Sequence, residues 1–292
     1  MNPTQSLKKH QFILTSALAL LPVAQPAKAQ VLASESFAIS SGAGGSGATQ
    51  TSCMILSDGT SWSGGAVGVQ GASSTKMGGG SPLAANVTFK YGVGSTVDSL
   101  NATYGAGNWT ISNVKLKLQY TLYANNTRFG GGAGTFDIYW VGNDSWVQGT
   151  SNPAYVTSAA ALGNWSTSYA LVGSENYSWS TASYTGTAAD ATTGLWVTDK
   201  SGGKQATISY GLALDSSLVN DIVSASAASD PSVSLYLMST SSSLGLTIFT
   251  GGGSVLPTLT FDVVAAPEPS SLALGLGGLA GLVAIRRWKL AK

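Results

Sequence analysis

The sequence predicts an all-β protein, an antiparallel β-sandwich of jelly-roll-like form, with an N-terminal signal peptide and a short C-terminal hydrophobic helix. Three observations carry that expectation. Apolar residues recur at every second position through most of the body, the period of a strand with one buried face. The chain holds 37 glycines in 292 residues, well above the usual ~7%, and Gly, Asn, Ser and Asp clusters separate the alternating runs as turns do. Only one stretch has helical spacing.

At the amino end, Lys8, Lys9 and His10 precede an apolar run from Phe12 to Leu21 that is too short to be a stable span. Small residues at Ala27 and Ala29 then provide a cleavage position before Gln30. Residues 1–29 therefore read as a signal peptide. Residues 30–265 read as one β-sandwich ectodomain, whose first part, 30–80, is rich in Gly and Ser. The glycine clusters at 42–47 and 78–80 lack the Lys-Ser/Thr ending of a phosphate loop and read as connections.

Alternation begins with Val87, Phe89, Tyr91 and Val93. It continues with Val114, Leu116, Leu118, Tyr120 and Leu122 against Lys115, Lys117, Gln119 and Thr121, then with Phe136, Ile138 and Trp140. Further strands are expected around 208–214, 233–237, 244–248 and 259–263. Each is expected to be half-buried, with the lysines and Gln119 outward. Seven or more one-faced strands must pair two apolar faces, which is the argument for a sandwich. Leu218, Val219 and Ile222 stand at helical spacing behind an Asp or Ser cap, so 215–223 is the one expected helix. Between 152 and 204 the alternation fades, and that stretch is expected to form long loops and short strands at one end of the fold.

The final segment, 266–292, has three parts. Pro267-Glu268-Pro269 is followed by an uncharged run at 271–285 and then by Arg286-Arg287-Trp288-Lys289. At ~1.5 Å per residue, a helix over 271–285 covers about 22 Å of a ~30 Å hydrocarbon layer. Its basic end should remain cytoplasmic with Trp288 at the interface, which places the body on the outer side of the inner membrane.

Charge and inventory narrow the chemistry. Residues 30–266 hold seven basic and twelve acidic side chains, a net charge of about −5, and no basic patch that could neutralise phosphates, so nucleic acid is not an expected partner. The only histidine is His10, in the signal segment, which removes Ser-His-Asp triads, Cys-His dyads and His-rich metal sites from consideration. A two-carboxylate glycosidase would have to draw on Asp137, Asp144, Glu175 and Asp199, yet acidic residues on strands and turns more often face solvent or cap turns. The expectation is a protein that is not an enzyme and uses no cofactor. Asp137, Asn143 and Asp144 offer hard oxygen donors near one turn, but without the repeated spacing of a calcium loop they read first as turn caps. Of the tryptophans, Trp109, Trp165 and Trp179 lie in polar, turn-like contexts where a ring could stack on a sugar, whereas Trp140 and Trp146 are expected in the core. Cys53, the single cysteine, is expected to be a small buried residue.

Two resemblances extend this reading. Pro267-Glu268-Pro269, the Gly/Leu-rich run and Arg286-Arg287 together resemble the PEP-CTERM sorting signal of Gram-negative bacteria that make exopolysaccharide. That resemblance implies recognition and cleavage by an exosortase, then release or transfer to the cell surface. Residues 100–153, with Asp144-Ser145-Trp146 and Gly149-Thr150, and the closing run Pro257-Thr258-Leu259-Thr260-Phe261, resemble DNRLRE-type β-sandwich domains related to carbohydrate-binding modules. Gln148 stands where that family usually has Glu. The combined expectation is an exported, exosortase-sorted, non-catalytic surface or biofilm-matrix protein associated with exopolysaccharide, able to self-associate because few lysines guard its sheet edges. The alternative is a carbohydrate-binding module with a defined glycan.

Overall fold

A computed structural model describes residues 30–39, 51–62, 66–73, 83–122, 133–147, 153–177, 196–198, 204–250 and 255–266. The signal segment, the sorting tail, Trp179, Gln148 and Asp199 lie outside these residues. The described chain is mostly antiparallel β-sheet, with thirteen strands and three short helices.

The strands are β1 Val31–Ala38, β2 Thr51–Leu56, β3 Ser61–Trp62, β4 Ala66–Gln70, β5 Ala85–Gly92, β6 Trp109–Leu122 and β7 Gly134–Val141. They continue with β8 Tyr169–Tyr177, β9 Trp196–Thr198, β10 Lys204–Gly211, β11 Ser232–Ser239, β12 Gly245–Phe249 and β13 Thr258–Ala265. The helices are α1 Gly94–Tyr104, α2 Ala159–Trp165 and α3 Ser216–Ser224.

Two long strands organise the sheet. β6 pairs with β13 on one edge and β10 on the other, which gives the run β1-β13-β6-β10-β9. β5 pairs with β2 and β11, which gives the run β3-β2-β5-β11-β7-β8. β4 and β12 pair with each other and join the two runs through single contacts, Gln70 with Ala85 and Ile248 with Tyr120. Across the other side, Ala213 N donates to Val172 O at 2.7 Å and ties the end of β10 to β8.

Both runs feed one buried cluster. Leu116, Leu118, Leu259 and Phe261 from the first meet Val87, Phe89, Leu235 and Ile138 from the second. This is the packing that the period-two pattern demands, since a sheet with an apolar face is stable only when that face is covered.

β6 departs from strict alternation in an informative way. Trp109 and Ile111 are buried, and so are Val114, Leu116, Leu118 and Tyr120, although the two sets differ in parity. Between them Asn113 has φ 51°, and the pairing with β13 shifts register between Thr260 and Asp262. The extra residue of this β-bulge restores the phase, so both halves of the strand point into the same core. Asn tolerates the left-handed backbone, and Asn113 Nδ2 donates to Asp262 Oδ2 at 2.9 Å while Ser34 Oγ donates to Oδ1 at 2.6 Å.

Two expectations need correction. β5 and β11 are not half-buried, since nearly every residue in each is buried, and the same holds for β2, a strand the alternation did not mark. A second cluster explains this, because Trp146, Val156 and Leu162, the last on α2, cover Cys53, Ile55, Tyr139, Tyr236 and Met238 on the outer face. Gln119, expected outward, is 2% exposed, and its Oε1 accepts from Val255 N at 3.0 Å. Lys115 is exposed as expected and Lys117 is partly so.

The expected helix is present as α3, capped by Asp215, whose carboxylate accepts from Ser217 N at 2.8 Å. α1 and α2 were not expected. α1 has no side-chain N-cap and stops at Gly105, whose φ of +87° suits glycine. β8, nine residues long, occupies part of the stretch expected to form long loops and short strands.

Candidate functional site

The sequence singles out three tryptophans and three oxygen donors; of the five that are described, the fold brings Asn143 to Trp165 and keeps Trp109 and Asp137 apart from them. Trp109 is 4% exposed, with its indole N–H donating to Asn101 Oδ1 at 3.0 Å, so it presents no ring face to a sugar. Burial against α1 overturns its expected role. Trp165 is partly buried, and its ring lies tilted on Tyr236 with centroids 5.8 Å apart. Asp137 lies on β7 and accepts from Ser174 Oγ at 2.7 Å and from Tyr139 OH at 3.1 Å. Asn143 caps its own turn, accepting from Ser145 Oγ at 2.8 Å, and donates to Trp165 O at 3.0 Å. Asp137 and Asp144 are seven residues apart along a strand and its extension, too far at ~3.3 Å per residue to share one small ion.

Asp144 instead meets two carboxylates that no sequence spacing links to it. Asp144, Asp221 and Asp230 place their oxygens within 4.8 Å of one another at the end of the second strand run. The chain leaves β7 at Val141 and is held by Gly142 N donating to Ser168 O at 2.9 Å, which delivers Asp144 beside the start of β11. There Ser234 Oγ donates to Asp144 Oδ1 and receives the Trp146 indole N–H at 2.9 Å. Asp221 comes from α3, whose Leu218 and Ile222 enter the core, and it accepts from Trp140 Nε1 at 2.6 Å. Asp230 ends a tight turn closed by Ser226 N to Asp230 O at 2.8 Å, and Ala227 N in that turn donates to Asp98 Oδ2 at 3.0 Å.

Lys90 is the nearby cation, 5% exposed. Its Nζ donates to Asp144 O at 2.7 Å and Trp146 O at 2.5 Å and lies 4.7 Å from the centre of the Trp146 ring. The ammonium therefore secures the backbone of the turn, and burial lowers its pKa against the opposing pull of Asp144. Burial, joined by the negative charges of Asp221 and Asp230, pushes the Asp144 carboxyl up to about 7 despite the Ser234 hydrogen bond. Asp221 is pushed up to about 6, again chiefly by burial and next to Asp230, against the Trp140 hydrogen bond.

Chemically, the cluster is a place to hold a proton near neutral pH. It could also offer oxygen to a hard cation, but three carboxylates are about half of the six to eight ligands that calcium takes. A raised carboxyl beside another carboxyl is also what a glycosidase acid requires. Here Ser234 Oγ donates to one oxygen of Asp144 and the Trp140 indole N–H to one oxygen of Asp221. Glu175, whose pKa burial raises, lies on β8 opposite Phe136, in another part of the sheet. Compared with known proteins, the chain matches no family model and no curated protein.

Proposed function

We propose that the chain is an exported, non-catalytic cell-surface or extracellular-matrix protein, sorted by an exosortase and retained in or near exopolysaccharide, with a jelly-roll-like β-sandwich as its body. The observation that carries the reading is the order of parts in the sequence: a signal segment at 1–29, a folding body, then Pro267-Glu268-Pro269, the apolar 271–285 run and Arg286-Arg287. The sandwich reading is supported by the single buried cluster that both strand runs share. The non-catalytic reading is supported by a body without histidine and by carboxylates committed to Ser234 and Trp140. No described helix is long and apolar enough to cross a membrane, and the tail that would do so lies outside the described residues.

Mass spectrometry of both termini tests the sorting claim. In a host with an exosortase the mature chain is expected to begin at Gln30 and to end near Pro267; without the exosortase the tail should stay intact. An uncut tail in the first host defeats the proposal.

A further inference from the structure

We propose that the end of the fold at which β1 starts, β13 stops and the α1–β6 turn lies is a membrane-facing surface, held against lipid headgroups while the C-terminal tail is in place. The choice of partner rests on the tail-anchored reading above; the construction of this pole does not. Strand register brings the two ends of the body together: Val31 pairs with Val264 and Ala265 with Trp109, so β1 begins beside the point where β13 leaves. Ala38, at the far end of β1, pairs with Thr258 and lies about 23 Å away at ~3.3 Å per residue.

The chain beyond β13 is too short to let this end move far from the tail. The last described backbone bond there is Ala266 N donating to Asn108 O at 2.9 Å. Only residues 267–270 then precede the uncharged run at 271–285. Whatever their conformation, at a maximum of ~3.6 Å per residue they reach about 14 Å, of which the headgroup layer takes ~5–7 Å. With the apolar run in the hydrocarbon, Ala266 therefore stays within about 10 Å of the headgroups.

A tether holds one point close, and the surface chemistry decides which way the body turns on it. Residues 30–33, 101–111 and 263–266 hold no charged side chain, although the body carries twelve carboxylates. The first charges along these strands are Glu35, Asp262 and Lys115, each further from the pole. Pressing this end to the headgroups therefore strips water from no charge, whereas other faces would have to desolvate carboxylates. Val31 is 53% exposed, and Ala102, Ala106 and Ala265 are exposed at the same end. A Cβ on Gly107 would meet nothing within 4 Å, so the tip of the turn faces open space. The polar groups of the rim are already paired: Gly105 N donates to Asn101 O at 3.0 Å, Asn108 Nδ2 to Tyr104 O at 3.1 Å and Tyr104 OH to Leu32 O at 3.4 Å. Contact with lipid then leaves these donors satisfied, and the same bonds tie the turn to β1 as one platform.

The test reconstitutes the chain, with its tail intact, in phosphatidylcholine vesicles that carry a spin label on the headgroup. Ala106→Cys and Ala38→Cys are each labelled with a thiol fluorophore; both positions are exposed, while Cys53 is fully buried, and the parent chain checks that it takes no label. The spin label is expected to quench position 106 at least about twofold more than position 38, because about 23 Å of strand separates the two ends. Val31→Cys is expected to behave like Ala106→Cys and replaces it if that variant does not fold. Equal quenching at the two ends, or stronger quenching at 38, overturns the proposal. Flotation of the same vesicles reads the anchor alone: a chain that floats but is quenched equally loses only this surface, whereas a chain that does not float overturns the anchored reading and the surface with it.

Discussion

Asp144 shows how a single side chain can make stability depend on pH in the direction opposite to the usual acidic residue. Its folded pKa, about 7, lies above the ~3.9 of an unfolded aspartate, and Asp221 at about 6 follows the same rule. Between those values the native state binds more protons than the unfolded chain, so its stability falls as pH rises. The stabilisation is complete below about pH 4 and is lost through pH 6 to 7. Denaturant unfolding is expected to give a more stable protein at pH 5 than at pH 8, and Asp144→Asn is expected to flatten that difference and stabilise the protein at pH 8. A parent whose stability rises over the same interval would show that the cluster is not protonated in the fold.

At the scale of single elements, the bulge in β6 separates what a sequence pattern can reveal from what it cannot. The run from Val114 onward obeys period two and is legible. Trp109 and Ile111 are displaced by one residue and look like the wrong face until Asn113 is known to be left-handed. Asn113→Val is expected to cost about 1–3 kcal/mol in thermal or chemical unfolding, since a β-branched residue resists that backbone, and Asn113→Gly is expected to cost less. Equal losses would mean that the hydrogen bond to Asp262 matters and the backbone does not. α3 was legible because Asp215 caps it and Leu218 and Ile222 share a face. α1 was hidden because it lacks a side-chain cap, and α2 because it is seven residues long within a Ser- and Ala-rich stretch. The acidic site was only one-third legible, through Asp144, since Asp221 and Asp230 reach it through folding of segments more than seventy residues away. Gln119 and the strands buried on both faces were misjudged for a related reason: periodicity reports the face that meets the main core and is silent about a segment that later covers the other.

Across the whole sheet, the exposed margins decide how copies meet. β8 lies at the end of its run, and beyond it the chain returns only at Val172 among the described residues. It presents Leu171, 51% exposed, and Tyr169, 37% exposed, with no lysine along its length. A strand edge of this kind favours pairing with another copy. Sedimentation is expected to show association that grows with concentration, and Leu171→Lys is expected to shift it toward monomer. A parent that stays monomeric throughout, or a variant that associates equally, would remove β8 from the account.

The thiol of Cys53 sits on β2 under the layer of Trp146, Val156 and Leu162, fully shielded, and burial pushes it up to about 12. A thiol so placed is almost never a thiolate, so oxidants have nothing to attack while the molecule is closed. It becomes reactive only when the outer cover lifts away from β2. The chain thus carries its own clock: the rate at which a thiol reagent modifies Cys53 in the absence of denaturant is expected to follow the opening of that layer. If modification is as fast as that of a free cysteine, the cover is loose; if it is slow and quickens when Trp146→Ala removes the layer's largest side chain, the cover guards the fold against oxidation.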